Sequence, residues 1–216
     1  MEEVIDILMA TYNGEKYIAE QIDSILNQTY SSFRLIISDD CSTDNTPEIL
    51  RKYAMKDDRI ILYIQPKNLG VVKNIEFLLK KVKNDYYMLS DQDDVWLPKK
   101  VEQSYRTLLK NKADLVFGDL EVVDENLNTI YPSFCDYMLL TNKIKKCINS
   151  YKVNYLYNCV TGCTIFAKSK YIEKVLPLPI NSKAVIHDYW IGLIYALNGK
   201  LAFIDEKLIK YRQHRR

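Results

Sequence analysis

Glycine is scarce in this chain, with 6 residues in 216. None of them forms a GxxxxGK[ST] loop, and no GxGxxG follows the first apolar run. That argues against the glycine-rich backbone nest with which P-loop enzymes and dinucleotide-binding dehydrogenases hold a diphosphate. Charge of one sign is also lacking: 30 basic residues stand against 28 acidic ones, for a net charge of +2. Bulk nucleic-acid binding normally shows a one-sided basic excess, so no nucleic-acid partner is expected. Local basic runs, the segment from Lys143 to Lys146 and the terminal His214-Arg215-Arg216, read as ordinary solvated faces. The 5 cysteines (Cys41, Cys135, Cys147, Cys159 and Cys163) are odd in number, scattered and without a CxxC pair. Neither a disulfide framework nor a zinc site is expected, and reduced thiols point to the cytoplasm. No apolar stretch approaches the roughly 20 residues of a membrane span. The first residues carry Glu2 and Glu3 and no basic segment, so no signal peptide is expected.

What is present fits one compact α/β domain over residues 1–216, with apolar types at 48% to fill its core. Apolar runs at 4–10, 34–38, 60–64, 86–89 and 115–117 read as strands. Helical spacing at 17–26, 48–55, 72–82 and 99–109 alternates with them. Pro47 and Pro98 fall at helix starts, where the missing N–H does no harm. Such alternation with short connections predicts a mostly parallel sheet with helices on both faces. Residues 121–158 mix polar, aromatic and lysine residues without a period and read as a long irregular segment. After it, 162–167 reads as a strand, 188–197 as a helix and 201–204 as a last core strand.

The carboxylates gather where strands end. Asp39-Asp40 follows the second strand, Asp91-Gln92-Asp93-Asp94 follows the fourth, and Asp188 opens a helix. Ligands of open parallel sheets bind at the carboxyl ends of the strands, so the first two groups should converge. Asp91 and Asp93 alternate, and in extended backbone their side chains face the same way. A pair of oxygen ligands, completed by waters and phosphates, is the usual protein share of a Mg²⁺ or Mn²⁺ site. Helix capping ahead of the next helix accounts for one such aspartate but not for the whole run. Without a glycine loop, a bound cation is what would neutralise a diphosphate.

Taken in order, Met9-Ala-Thr-Tyr-Asn-Gly14, Ser38-Asp-Asp-Cys-Ser-Thr-Asp-Asn-Thr46, Ser90-Asp-Gln-Asp-Asp-Val-Trp-Leu-Pro98, Thr161-Gly-Cys-Thr164 and His187-Asp-Tyr-Trp190 resemble a family 2 glycosyltransferase with the GT-A fold. The Asp-Gln-Asp-Asp-Val-Trp and His-Asp-Tyr-Trp forms are most similar to rhamnosyltransferase-like members that build bacterial surface polysaccharides. The resemblance implies a Rossmann-like α/β/α sandwich and an inverting, Mn²⁺- or Mg²⁺-dependent transfer from a UDP- or dTDP-sugar to a saccharide or lipid-linked saccharide. It places nucleotide-sugar binding at Ala10, Tyr12, Asp40, Asp91 and Lys73. Tyr12 would stack on the pyrimidine, although a core tyrosine is an equal reading on residue type alone. Asp40 would accept the base N3–H, while its neighbour Asp39 equally suits a turn or cap residue. Lys73 matches a position that is often basic in the family, although a solvated lysine is the better reading of the residue itself.

The same resemblance makes Asp93 the direct metal ligand, with Asp91 on the ribose or a metal-bound water and His214 approaching the metal. Asp94, Gly162 and His187 would face the acceptor or the sugar, His187 alternatively orienting the base. Asp188 would be the general base, at a helix N-terminus that favours its ionised form and that suits an ordinary cap as well. Many relatives continue past the point corresponding to Arg216, so a C-terminal extension is expected to be missing. Association with a membrane would be peripheral at most, at the inner face of the plasma membrane. A nucleotidyltransferase would share sheet, metal and nucleotide, yet would normally carry a glycine-rich basic loop where this chain has Ala10-Thr-Tyr-Asn-Gly14. A catalytically silent nucleotide-sugar-binding module would keep the same residues, and turnover separates it from an enzyme.

Overall fold

A computed structural model describes residues 2–140, 144, 147–179 and 186–214. The basic run at Lys143, Lys145 and Lys146, together with Arg215 and Arg216, lies outside them. The first half alternates β1 (Ile5–Thr11), α1 (Ile18–Leu26), β2 (Phe33–Asp39), α2 (Thr46–Ala54), β3 (Ile60–Ile64), α3 (Val71–Leu79) and β4 (Tyr86–Ser90). Then come β5 (Val95–Trp96), α4 (Lys100–Asn111), β6 (Leu115–Gly118), β7 (Glu121–Val123), β8 (Thr129–Tyr131), α5 (Phe134–Tyr137) and α6 (Tyr151–Tyr157). The chain ends through β9 (Phe166–Lys168), α7 (Ile172–Val175), α8 (His187–Asn198), β10 (Leu201–Ile204) and β11 (Ile209–Arg212).

The main sheet has the order β10-β6-β9-β4-β1-β2-β3, with β1 to β4 all parallel. The period of two along each strand explains the layers. Ile5, Ile7 and Met9 of β1, with Leu35 and Ile37 of β2, pack against Ile18, Ile22 and Ile25 of α1, Leu50 of α2 and Leu108 of α4. Leu8, Ile36 and Leu89 face the other way, onto Ile75 and Leu78 of α3 and Ile191 and Tyr195 of α8. Helices thus cover both faces, the three-layer α/β/α arrangement that the alternation predicts.

Residues 162–167 depart from the expected strand. Gly162–Thr164 is a 3₁₀ turn, closed by the Thr164 N–H (3.0 Å) and Oγ1 (2.7 Å) donating to the Thr161 carbonyl. The strand begins only at Phe166 and runs antiparallel to both β4 and β6. The aperiodic 121–158 segment does hold regular structure. Its strands β7 and β8 have three residues each, too short to display a period. They belong to a second sheet, β5-β11-β7-β8, in which β11 pairs with β5 from more than half the chain away. All cysteines are free. Among the described residues no helix is long and apolar enough to cross a membrane.

Candidate functional site

Parallel register carries the ends of β1, β2 and β4 to one edge: Thr11 sits beside Asp39, and Met9 beside Ser90. The loops that leave there surround a cavity of about 360 Å³, which Ala10, Tyr12, Asp40, Asp91, Asp93 and His187 help to line. Asp39 is fully buried and organises its own loop, accepting from Thr11 Oγ1 at 2.9 Å and from the Ser42 N–H (3.0 Å) and Oγ (2.6 Å). It does not line the cavity; Asp40 does. Asp40 accepts the Leu69 N–H at 2.7 Å and the Gly70 N–H at 2.8 Å. A carboxylate has about four lone-pair sites, so acceptor capacity is left over. Tyr12 is 46% exposed at the cavity's edge.

The second acidic group sits on the loop between β4 and β5. Burial, and then the charges of Asp93 and Asp188, push the Asp91 carboxyl up to about 7. Asp93 Oδ2 lies 2.5 Å from His214 Nε2, and the His214 ring packs against Tyr17. An oxygen and a nitrogen donor thus stand together beside a carboxyl only partly compensated by positive charge, and this donor set fits a divalent cation.

Two assignments need correction. Asp94 does not face a sugar or an acceptor: it is wholly buried, accepts the Arg212 N–H at 3.1 Å, and is no part of the cavity wall. The register of β5 against β11 turns it into the second sheet. Lys73 lies on the exposed side of α3, whose cavity face is formed by Val71, Asn74 and Ile75. The 3.6-residue period of the helix separates it from them.

Asp188 is the second residue of α8, whose N-cap is Ile186, so it is no helix cap. Its Oδ2 instead accepts the Gly162 N–H at 3.2 Å, while Oδ1 accepts the Tyr189 N–H at 2.6 Å. Gly162 is pressed against the same pair: a Cβ there would come 3.4 Å from His187 Nε2 and 3.5 Å from Asp188 Cβ. Burial lowers the His187 pKa, favouring the neutral ring, and its Nδ1 has no partner among the described residues. Arg212 went unremarked as a site residue. It is buried, donates from Nε to the Asp93 carbonyl at 2.7 Å, pairs with Glu20 and covers the Tyr17 ring at 4.3 Å. Its sequence signal is only an arginine in a late polar strand.

A family model described as glycosyl transferase family 2 matches residues 6–175. The dTDP-rhamnosyl transferase RfbG of Shigella flexneri is 32% identical over 219 residues, covering 95% of this chain and 71% of that protein. S. aureus TarS 1–349 in complex with UDP superposes with a TM-score of 0.73 at 20% identity, covering 98% of this chain and 60% of that one. The mannosyltransferase PcManGT from Pyrobaculum calidifontis, in complex with GDP-Man and Mn²⁺, gives a TM-score of 0.69 at 16% identity over 98% of this chain and 56% of that one. Identities this low show the fold, which is the GT-A arrangement. The family match over most of the chain, with the 32% identity to RfbG, establishes that it belongs to glycosyl transferase family 2.

Proposed function

We propose that residues 1–216 form a single catalytic domain that transfers a sugar, with inversion, from a UDP- or dTDP-sugar to a hydroxyl of a saccharide or lipid-linked saccharide. The observation that carries this reading is one cavity whose wall holds Asp40 together with Asp91 and Asp93, the last of them touching His214. That grouping suits a nucleoside diphosphate, with the base toward Asp40 and Tyr12 and the phosphates toward the metal ligands. Asp93 and His214, with Asp91, would hold Mn²⁺ or Mg²⁺, and the bound cation supplies charge neutralisation to the departing diphosphate. Asp188 takes the proton of the acceptor hydroxyl as its oxygen attacks the anomeric carbon and the bond to the diphosphate breaks. The Gly162 N–H fixes the aspartate's orientation. His187, its ring kept neutral by burial, lines the same cavity. RfbG is a dTDP-rhamnosyl transferase, which supports a nucleotide-sugar donor; the transfer itself would serve surface-polysaccharide assembly, at the cytoplasmic face of the membrane when the acceptor is carried on a lipid.

The test is Asp188→Asn, which keeps shape and removes the accepting charge. UDP or dTDP binding should survive, while transfer to a working acceptor falls by about 10²–10⁴-fold. Near-wild-type turnover, or a product retaining the donor's anomeric configuration, overturns the mechanism.

A further inference from the structure

Gln92 lies between Asp91 and Asp93, yet its side chain serves neither. Its Oε1 accepts the Tyr12 N–H at 2.9 Å, and its Nε2 donates to the Tyr12 carbonyl at 3.1 Å. The β1–β4 ladder stops at Met9 and Ser90, and β1 itself ends at Thr11. Tyr12 is therefore the first residue whose backbone has left the sheet, and one side-chain amide satisfies both of its polar groups as a strand neighbour would. The Tyr12 ring packs on no other ring among the described residues. No aromatic partner holds the ring, and Gln92 holds the backbone that carries it.

Gly14 supplies an independent observation. Its φ lies outside the left-handed region, so the turn does not require glycine on conformational grounds; Asn13 takes the positive φ instead. A Cβ on Gly14 would fall 2.5 Å from Gln92 Oε1 and 2.7 Å from its Cδ. The missing side chain is the space that the Gln92 amide occupies.

We propose that Gln92 is a positioning residue that fixes the span between the base-stacking Tyr12 and the carboxylates Asp91 and Asp93, with Gly14 shaped to admit it. This rests on the nucleotide reading of the cavity. The side chain makes the acidic loop and the base platform one rigid unit, so a ligand that engages both meets them already spaced.

The experiment compares Gln92→Ala, Gly14→Ala and the double variant for binding of UDP with Mn²⁺, and of inorganic pyrophosphate with Mn²⁺, by calorimetry. Losing the amide pair should weaken UDP roughly tenfold, since two hydrogen bonds of modest net strength are lost and part is recovered from water. Gly14→Ala pushes the amide away and should weaken UDP to the same extent, and the double variant should be no weaker than either single one. Pyrophosphate engages only the acidic loop, so its affinity should match the wild type in all three. Unchanged UDP affinity in Gln92→Ala, multiplying effects in the double variant, or pyrophosphate binding that falls in step with UDP would each overturn the proposal. Wild-type protein that binds pyrophosphate but neither UDP nor dTDP overturns the nucleotide reading itself, and the proposal with it.

Discussion

The two acidic loops at the sheet edge have similar sequences and opposite electrostatics. In the first, each carboxylate is met by hydrogen-bond donors: Asp39 by Thr11 and Ser42, Asp40 by the amides of Leu69 and Gly70. Amide and hydroxyl dipoles complete that loop, and what remains to Asp40 is a lone pair for a neutral N–H donor. In the second, Asp91 is raised by burial and by its acidic neighbours, and Asp93 leans on a histidine. Nearby Lys100, buried with Nζ 3.7 Å from the Trp96 ring centroid, is itself pushed down to about 7 by that burial. It therefore supplies only part of the missing charge. A loop closed by amides suits a base, and a loop left short of positive charge suits a cation. Identical residue types diverge because β2 delivers its aspartates beneath a helix N-terminus, whereas β4 delivers its own beside one another.

The largest effect should come from Asp93→Ala. Outer-shell partners of a metal typically contribute about 10–100-fold to affinity, and a direct ligand more. Binding of UDP in the presence of Mn²⁺ should therefore fall by at least about a hundredfold, to the level that EDTA gives with the wild type. Equal calorimetric affinity with and without EDTA would erase the contrast between the loops.

Asp40→Asn probes the completed loop and should act more weakly. An amide accepts through one oxygen only, so its NH₂ must face one of the two backbone donors, Leu69 or Gly70. An unsatisfied partner of this kind costs about 1–3 kcal/mol. UDP should weaken in proportion and its preference over GDP should shrink, while pyrophosphate with Mn²⁺ binds as before. If wild-type protein takes GDP as readily as UDP and dTDP, Asp40 is not reading a pyrimidine.

How legible these loops were in the sequence follows from the distance over which each is built. Asp39, Asp40, Asp91 and Asp93 sit directly behind strands whose period shows within a few residues, so their place at one edge could be read. Asp188 was readable as the start of a helix. That it holds the Gly162 N–H rather than a cap could not be read, because the partner lies 26 residues away. Asp94 and Arg212 are joined across 118 residues, and Gln92 and Tyr12 across 80. No local pattern carries such pairings. Lys73 was misplaced for the opposite reason: its sequence neighbourhood is right, but the turn of α3 points it to solvent. The 121–158 segment stayed opaque because β8 is exposed along its whole length, and a strand with no buried face leaves no alternation to read.

The smallest effect, and the sharpest separation of the loops, should come from Gly70→Ala. Gly70 has φ +83° and ψ 153°, a combination that only glycine adopts without strain. It is the N-cap of α3, and its N–H donates both to Asp40 Oδ2 at 2.8 Å and to Asn68 Oδ1 at 3.1 Å. No atom lies within 4 Å of a Cβ placed there, so nothing is crowded and the whole effect is conformational. Holding alanine in this geometry costs about 1–3 kcal/mol, and the exposed turn should relax to recover part of it. Relaxation moves the amide away from Asp40, so the melting temperature and UDP affinity should both fall slightly. Pyrophosphate affinity should not change, since the acidic loop between β4 and β5 takes no support from Gly70. A parallel loss of pyrophosphate binding would mean that the loops share one framework through α3, and the division into an amide-closed half and a cation-seeking half would then fail.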